Sequence, residues 1–282
     1  CRDNCPPVEV MANGLKGGEI TLTDIESSQY VSALLLCGPY TAKGIVLTLE
    51  GNIVSAPYID LTVRVMNDFG AKIMMSGKHQ YMVGTQSIYR GREYYVEGDA
   101  SSASYFFLAA ALAKRTVRVR GVTRKSAQGD IRLLNILEKL GCRVTDGETW
   151  VEVSADQDLI EGDMTFDMGD IPDMVPTAGV LAAYRTGRTR ITNVAHLRIK
   201  ESNRLAAMVE ELNRIGIHAS ELPDGLMVEG GIPHGADIST YNDHRIAMSF
   251  AVAGLVTPGM VIADKKCVDK SFPGFWRELA KL

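Results

Sequence analysis

The stretch "RLAAMVEELNRIGIHAS" (204–220) decides the fold. Leu205, Met208 and Leu212 recur at helical spacing, so its first part reads as an amphipathic helix. Gly216 follows, and a short alternating strand comes next. Glycine suits the position just past a helix end, where a left-handed conformation costs it little. The same helix, glycine and strand recur upstream in "YIDLTVRVMNDFGAKIMM" (58–75) and "DIRLLNILEKLGCRVTD" (130–146), with Gly70 and Gly141 in the matching place. A spacing of roughly 70 residues marks an internal structural repeat. Each copy runs on through a turn into a second strand: "QYMVG", "TWVEVS" or "GLMVEG". Upstream of each lies a helix of small apolar residues: "QYVSALLLC", "SASYFFLAAALA" or "VPTAGVLAAY". Short β runs such as "TVRVRGV" and "RTRITNV" join the two helices. The unit reads β-α-β-α-β-β.

The two ends break this pattern. A fourth small-residue helix (244–255), the strand "MVIAD" and the helix "PGFWRELAKL" close the sequence without the two final strands. At the other end "CPPVEVM" reads as the closing strand of a unit whose helices are absent, and there is no initiator Met. The expectation is a natural polypeptide with a further N-terminal segment, without which two sheets carry open edges. The 282 residues, 46% hydrophobic and 23% charged, allow one or two domains. A net charge of -4 argues against a general nucleic-acid surface. No apolar run approaches the ~18 residues of a membrane span, and no secretory signal is visible. Cysteines at 1, 5, 37, 142 and 267 are odd in number and scattered, which fits reduced thiols in the cytoplasm. Cys1 and Cys5 have no second ligand pair, so no metal is expected.

Charged residues gather where helices begin. "HLRIKESNRLAAM" (196–208) places Arg198, Lys200, Glu201 and Arg204 at what reads as a helix start, an end that disfavours cations. Lys200 and Arg204 are four apart and are expected to share a helix face, with Glu201 beside them. "YNDHRIAMSF" (241–250) sets Asn242, Asp243, His244 and Arg245 before another helix, and a guanidinium in a first turn calls for an anion in front of it. "DKSFPGF" (269–275) adds Lys270 before the last helix. "MGDIPDMVPTAG" (168–179) carries Asp170 and Asp173, each either a helix cap or a base. "ESSQ" (26–29) offers a cap, Ser27 or Ser28, and with Gln29 an anion- and hydroxyl-binding corner. In "GDASSASYFF" (98–107) Asp99 or Ser101 caps. Any one cluster alone would read as a solvated face. Their recurrence at equivalent ends of repeated units favours a shared cleft for a ligand bearing phosphate and carboxylate.

The motifs "SSQYVSALLL", "GNIVSAPYIDLT", "GDASSASYFFLAAA", "QGDIR", "IPDMVPTAG", "LRIKESNRLAAM", "YNDHRIAMSF" and "CVDKSFPGFW", in this order, resemble the 5-enolpyruvylshikimate-3-phosphate synthases. The resemblance implies an α/β fold, the inverse α/β barrel, in which two domains are each built from three such units with helix starts facing a cleft. Residues 1–98 would be a partial upper domain, one full unit plus a hairpin, and residues 99–282 the lower domain. It further implies transfer of the enolpyruvyl group of phosphoenolpyruvate to the 5-hydroxyl of shikimate-3-phosphate, without metal or organic cofactor. By position, Ser27, Ser28, Gln29, Ser55, Tyr58, Asp173, His196 and Lys200 resemble the sugar-phosphate binders. Gln29, Arg204, Arg245 and Lys270 resemble the phosphoenolpyruvate clamps. Asp173 would take the hydroxyl proton and Glu201 would protonate the methylene carbon, with Lys200 sharing the proton traffic. His196 departs from the Asn common in bacterial relatives. The family's N-terminal Lys-Ser, its Gly-rich segment and two further arginines have no counterpart here, so the resemblance covers the C-terminal two thirds. Rival readings are a non-catalytic remnant, one chain of a split enzyme, or the transferase acting on UDP-N-acetylglucosamine.

Overall fold

The computed structural model describes residues 7–11 and 13–282. The chain divides into two units between Tyr94 and Tyr95. In the first, β1 (Gly18–Ile25) leads through α1 (Ser28–Cys37) to β2 (Ile45–Ile53). Then α2 (Ala56–Asp68) leads to the hairpin of β3 (Ile73–Ser76) and β4 (Gln80–Val83). This is the β-α-β-α-β-β order of the repeat. The sheet runs β1-β2-β4-β3, with β1 parallel to β2 and the remaining pairs antiparallel. Alternation along β2 buries Ile45, Leu47 and Leu49, while the stripe Ile59, Val63 and Met66 of α2 covers the same core. Gly70 ends α2 with φ +87°, its N–H returning to the Asn67 carbonyl.

Two expectations fail in this unit. Among its described residues no strand lies outside the one sheet, so the extra hairpin is not formed. Residues 7–11 of the supposed closing strand are exposed coil, with Val8, Val10 and Met11 facing solvent. Apolar alternation makes a strand only where a neighbouring strand satisfies its backbone, and among the described residues none pairs with this segment. Cys1 and Cys5 fall outside the described residues.

The second unit opens with α3 (Ala100–Ala113), β5 (Thr116–Arg120), α4 (Leu133–Lys139), β6 (Arg143–Asp146) and β7 (Trp150–Ser154). Its antiparallel sheet has three strands, β5-β7-β6. A full repeat follows: β8 (Met164–Asp167), α5 (Val175–Ala183), β9 (Gly187–Thr192), α6 (Arg204–Arg214), β10 (His218–Leu222) and β11 (Gly225–Gly230). The order β10-β11-β9-β8 repeats the first unit's sheet strand for strand. A short parallel pair, β12 (Asp237–Ile238) and β13 (Val261–Ile262), flanks α7 (His244–Ala253), and α8 (Phe275–Leu279) follows. Gly141 and Gly216 end α4 and α6 with φ +95° and +84°.

The small-residue helices α3, α5 and α7 form the centre of the second unit, and every residue of α5 is buried. Their low side-chain volume lets backbones approach: a Cβ on Gly179 of α5 would lie 2.7 Å from Met208 Cε of α6. Within each parallel pair the carboxyl ends lie side by side, as the register pairs Ile25 with Ile53, Asp167 with Thr192 and Ile238 with Ile262 show. The loops leaving the two strands of each pair therefore gather at one end of that pair, carrying the helix starts with them.

Candidate active site

Arg204 is the first residue of α6, behind the Asn203 cap whose side chain accepts the Ala206 N–H. Its guanidinium is 1% exposed and is held by three carboxylates. Nε donates to Asp243 at 2.8 Å, Nη1 to Asp173 at 2.8 Å and Nη2 to Glu201 at 2.6 Å. Arg245 Nη2 donates to the other oxygen of Asp173 at 2.6 Å, and Lys270 Nζ to the other oxygen of Glu201 at 2.6 Å. Charges thus alternate along Lys270, Glu201, Arg204, Asp173 and Arg245, with Asp243 buried behind. The fold assembles them from four places: a 3₁₀ turn before α5, the loop and first turn of α6, the first turn of α7 with its cap, and the 3₁₀ turn ending at Lys270.

The sequence reading of 196–208 needs correction. Helix α6 begins at Arg204, while Arg198 lies in a separate 3₁₀ turn and ties itself to Glu221 and the carbonyls of Leu222 and Pro223. Lys200 is extended (φ -94°, ψ -151°), so it shares no helix face with Arg204. The cation at the α6 start is offset by carboxylates of the protein itself. Neither Asp170 nor Asp173 caps α5: Asp170 pairs with Arg132, and both oxygens of Asp173 go to guanidiniums.

This charge pattern sets the protonation states. Burial pushes the Asp173 carboxyl up, but Arg245 and Arg204 outweigh it and hold the group below its usual range. Burial also opposes ionisation of Glu201, yet the Lys270 hydrogen bond and Arg204 bring it down to about 2. His196 is pulled down to about 4 by burial and by Lys200, so it is neutral, and its Nε2 is buried without a hydrogen-bond partner among the described residues. His244 is buried beside Arg245 and likewise lowered. Burial raises the Tyr105 phenol to about 12 against the opposing charge of Arg245. Both carboxylates are therefore ionised at neutral pH and surrounded by cations that an incoming anion can recruit.

In the first unit Ser27 caps α1, accepting the Gln29 N–H at 3.2 Å. Ser28 is buried and Gln29 exposed. Ser55 precedes α2 in the left-handed region (φ 58°, ψ 36°), a costly conformation for a residue with a Cβ, and its carbonyl accepts the Tyr58 N–H at 3.0 Å. Because β1 and β2 are adjacent and parallel, Ser27, Ser28, Gln29, Ser55 and Tyr58 gather at one end of that unit. Asp173, His196, Lys200, Glu201, Arg204, Arg245 and Lys270 belong to the second unit. Asp99 caps α3 through the Ser101 and Ser102 N–H groups, and Ser101 in turn donates to buried Asp130. Sequence reasoning overlooked how Asp243 is used: its only sign there was an Asp before a helix beside a run of cations.

A family model described as EPSP synthase (3-phosphoshikimate 1-carboxyvinyltransferase) matches residues 1–279. The chain belongs to the EPSP synthase family. A relative from Nostoc punctiforme, named 3-phosphoshikimate 1-carboxyvinyltransferase, is 42% identical over 270 residues, covering 96% of this chain and 63% of its own length. A Salmonella arizonae relative of the same name is 40% identical over 283 residues, covering all of this chain and 65% of its own. Among solved structures, the EPSP synthase of Acinetobacter baumannii superposes with a TM-score of 0.79 at 28% identity, over 95% of this chain and 62% of that one. The enolpyruvyl transferase NikO of Streptomyces tendae shares the fold, with a TM-score of 0.70 at 21% identity over 93% and 63%. The repeated units are therefore those of the inverse α/β barrel. The chain spans under two thirds of the length of these EPSP synthases.

Proposed function

We propose that this chain is the C-terminal part of an enzyme that transfers the enolpyruvyl group of phosphoenolpyruvate to the 5-hydroxyl of shikimate-3-phosphate and releases phosphate. The observation that carries the reading is the alternation of Lys270, Glu201, Arg204, Asp173 and Arg245 about the buried Arg204 guanidinium. Two carboxylates sit within one array of cations, which suits proton transfer between anionic reactants. Arg204, Arg245 and Lys270 hold phosphoenolpyruvate together with Gln29. Ser27, Ser28, Gln29, Ser55, Tyr58, Asp173, His196 and Lys200 hold shikimate-3-phosphate. Residues 1–98 and 99–282 form the partial upper and the lower domain. The free thiols of Cys37, Cys142 and Cys267 and this substrate pair support a cytoplasmic location.

Glu201, in its protonated form, gives its proton to the methylene carbon of phosphoenolpyruvate, leaving a cationic centre at the adjacent carbon. Asp173 takes the proton of the 5-hydroxyl as its oxygen bonds to that centre. Phosphate leaves with the proton that Asp173 has taken, and return of a methyl proton to Glu201 regenerates the double bond and both side chains. Lys200 shares this proton traffic. Glu201 is ionised in the free site, so it must gain its proton as substrate binds. An anion that draws Lys270 away removes the hydrogen bond holding Glu201 low, and adds negative charge that raises it further.

A companion segment, the counterpart of the relatives' remaining third, completes the enzyme. Two features support this. A cavity of about 810 Å³ in the first unit is lined by Leu15, Ile20, Leu22, Ile25, Leu34 and Ile45, beside the open edge of β1. The β5-β7-β6 sheet has one strand fewer than its repeats. The test is phosphate release from both substrates, with the chain alone and with an N-terminal fragment of a relative. Turnover with the fragment supports the reading. No turnover in either case favours a non-catalytic remnant.

A further inference from the structure

Asp243 touches no solvent, yet it is the carboxylate around which the site is tied. One oxygen, Oδ2, accepts from Arg204 Nε at 2.8 Å and from Ser202 Oγ at 3.1 Å. The other, Oδ1, accepts the Arg245 backbone N–H at 2.9 Å, capping α7, and lies 3.9 Å from His244 Nδ1. Its backbone is pinned as well: its N–H donates to the Thr240 carbonyl at 2.8 Å, and its carbonyl accepts from Ala247 at 3.1 Å. One side chain therefore fixes the start of α6 to the start of α7, segments 39 residues apart. Fully buried carboxylates are rare unless paired, and this one is paired with the guanidinium that grips both Asp173 and Glu201.

We propose that Asp243 is a positioning residue: it locks Arg204 by its Nε–H so that the two Nη groups present Asp173 and Glu201 in fixed relation. It contacts no substrate and moves no proton. Arg204 is thereby an internal strut as well as a cation of the site. The role deepens the transferase reading, but its structural arm stands without that reading.

The structural arm uses the chain as it is, labelled with ¹⁵N. Arg204 Nε–H is identified by its loss in Arg204→Met, and its hydrogen exchange is compared in the wild type and Asp243→Asn. The amide keeps an oxygen acceptor and a cap but exchanges a charge-assisted bond for a neutral one, so the exchange rate should rise about tenfold. Asp243→Ala should abolish the protection; if that variant does not fold, Asp243→Asn decides alone. Equal exchange in the wild type and Asp243→Asn would overturn the proposal. The catalytic arm uses the chain joined to the companion segment. Asp243→Asn should lower kcat about tenfold, with KM for phosphoenolpyruvate within about threefold, because geometry rather than affinity is lost. A raised KM at unchanged kcat would overturn it too. Absence of turnover in the wild type would refute the transferase reading while the exchange measurement still decides the role of Asp243.

Discussion

Replacing Arg204 by methionine keeps an unbranched apolar stem and removes the guanidinium charge that three carboxylates share. Asp243, at 0% exposure, is then left with Ser202 Oγ and one backbone N–H as its donors. Asp173 and Glu201, at 25% and 29%, keep Arg245 and Lys270 and can hydrate, so they add less. Breaking a buried ion pair from one side costs about 3–5 kcal/mol, most of it the stranded charge. That is a large fraction of the ~5–15 kcal/mol available to a typical domain. With a urea slope of about 2 kcal/mol/M, the unfolding midpoint should fall by about 1.5–2.5 M. Both tryptophans, Trp150 and Trp276, lie in the second unit, so their fluorescence reports on the right part of the chain. Asp243→Asn alone should cost less, because Arg204 keeps two carboxylates. The double variant should be at least about 1 kcal/mol more stable than the sum of the two single losses implies. A midpoint for Arg204→Met within about 0.3 M of the wild type would refute the reasoning, since it would show that Asp243 finds another partner at no cost.

Stability should fall as the solution is acidified from pH 7 to pH 5. His196, at about 4 in the fold, and His244, also lowered, bind protons more readily once unfolded, so their contribution is present above the ordinary histidine value of about 6.5 and is lost toward pH 4. Thermal melting at three pH values checks the sign; rising stability on acidification would contradict it. The lowered carboxyls of Asp173 and Glu201 act at lower pH: their contribution is present above the unfolded carboxyl range and disappears as pH falls through the folded values, about 2 for Glu201. Gly141→Ala forces a Cβ into φ +95°, 3.3 Å from Ile160 Cγ1, and should cost about 1–2 kcal/mol in the same urea assay. Ser55→Gly should relieve the left-handed strain and stabilise the fold by up to about 1 kcal/mol. The same change should weaken shikimate-3-phosphate binding in the completed enzyme, and calorimetry would read both effects.

The repeat was legible because its signals are local. A glycine past a helix end and alternation in the strand after it fixed Gly70, Gly141 and Gly216, and all three have positive φ. Caps were legible for the same reason, as at Ser27 and Asp99. The charge network was legible only in part. Asp173 lies 31 residues from Arg204 and 72 from Arg245, and Glu201 lies 69 from Lys270. Parallel strand pairing brings such loops together, and no local pattern states which cation meets which carboxylate. The helix start at 204 was misread because cations and apolar residues continue across 196–208, while the Asn203 cap and the extended Lys200 set the boundary. The segment at 7–11 alternates like a strand but pairs with none among the described residues.

The central claim is that Asp173 and Glu201 are the proton-transfer pair of an enolpyruvyl transfer. The most direct measurement joins the chain to an N-terminal segment of a relative and follows phosphate release and enolpyruvyl product together. Phosphoenolpyruvate and shikimate-3-phosphate are supplied to the wild type, Asp173→Asn and Glu201→Gln. The wild type should release one phosphate per enolpyruvyl product. Each amide variant should lose at least about 10²-fold in kcat, the lower range of general acid–base contributions. Wild-type turnover that persists in both variants would contradict the account, as would phosphate release that does not depend on shikimate-3-phosphate.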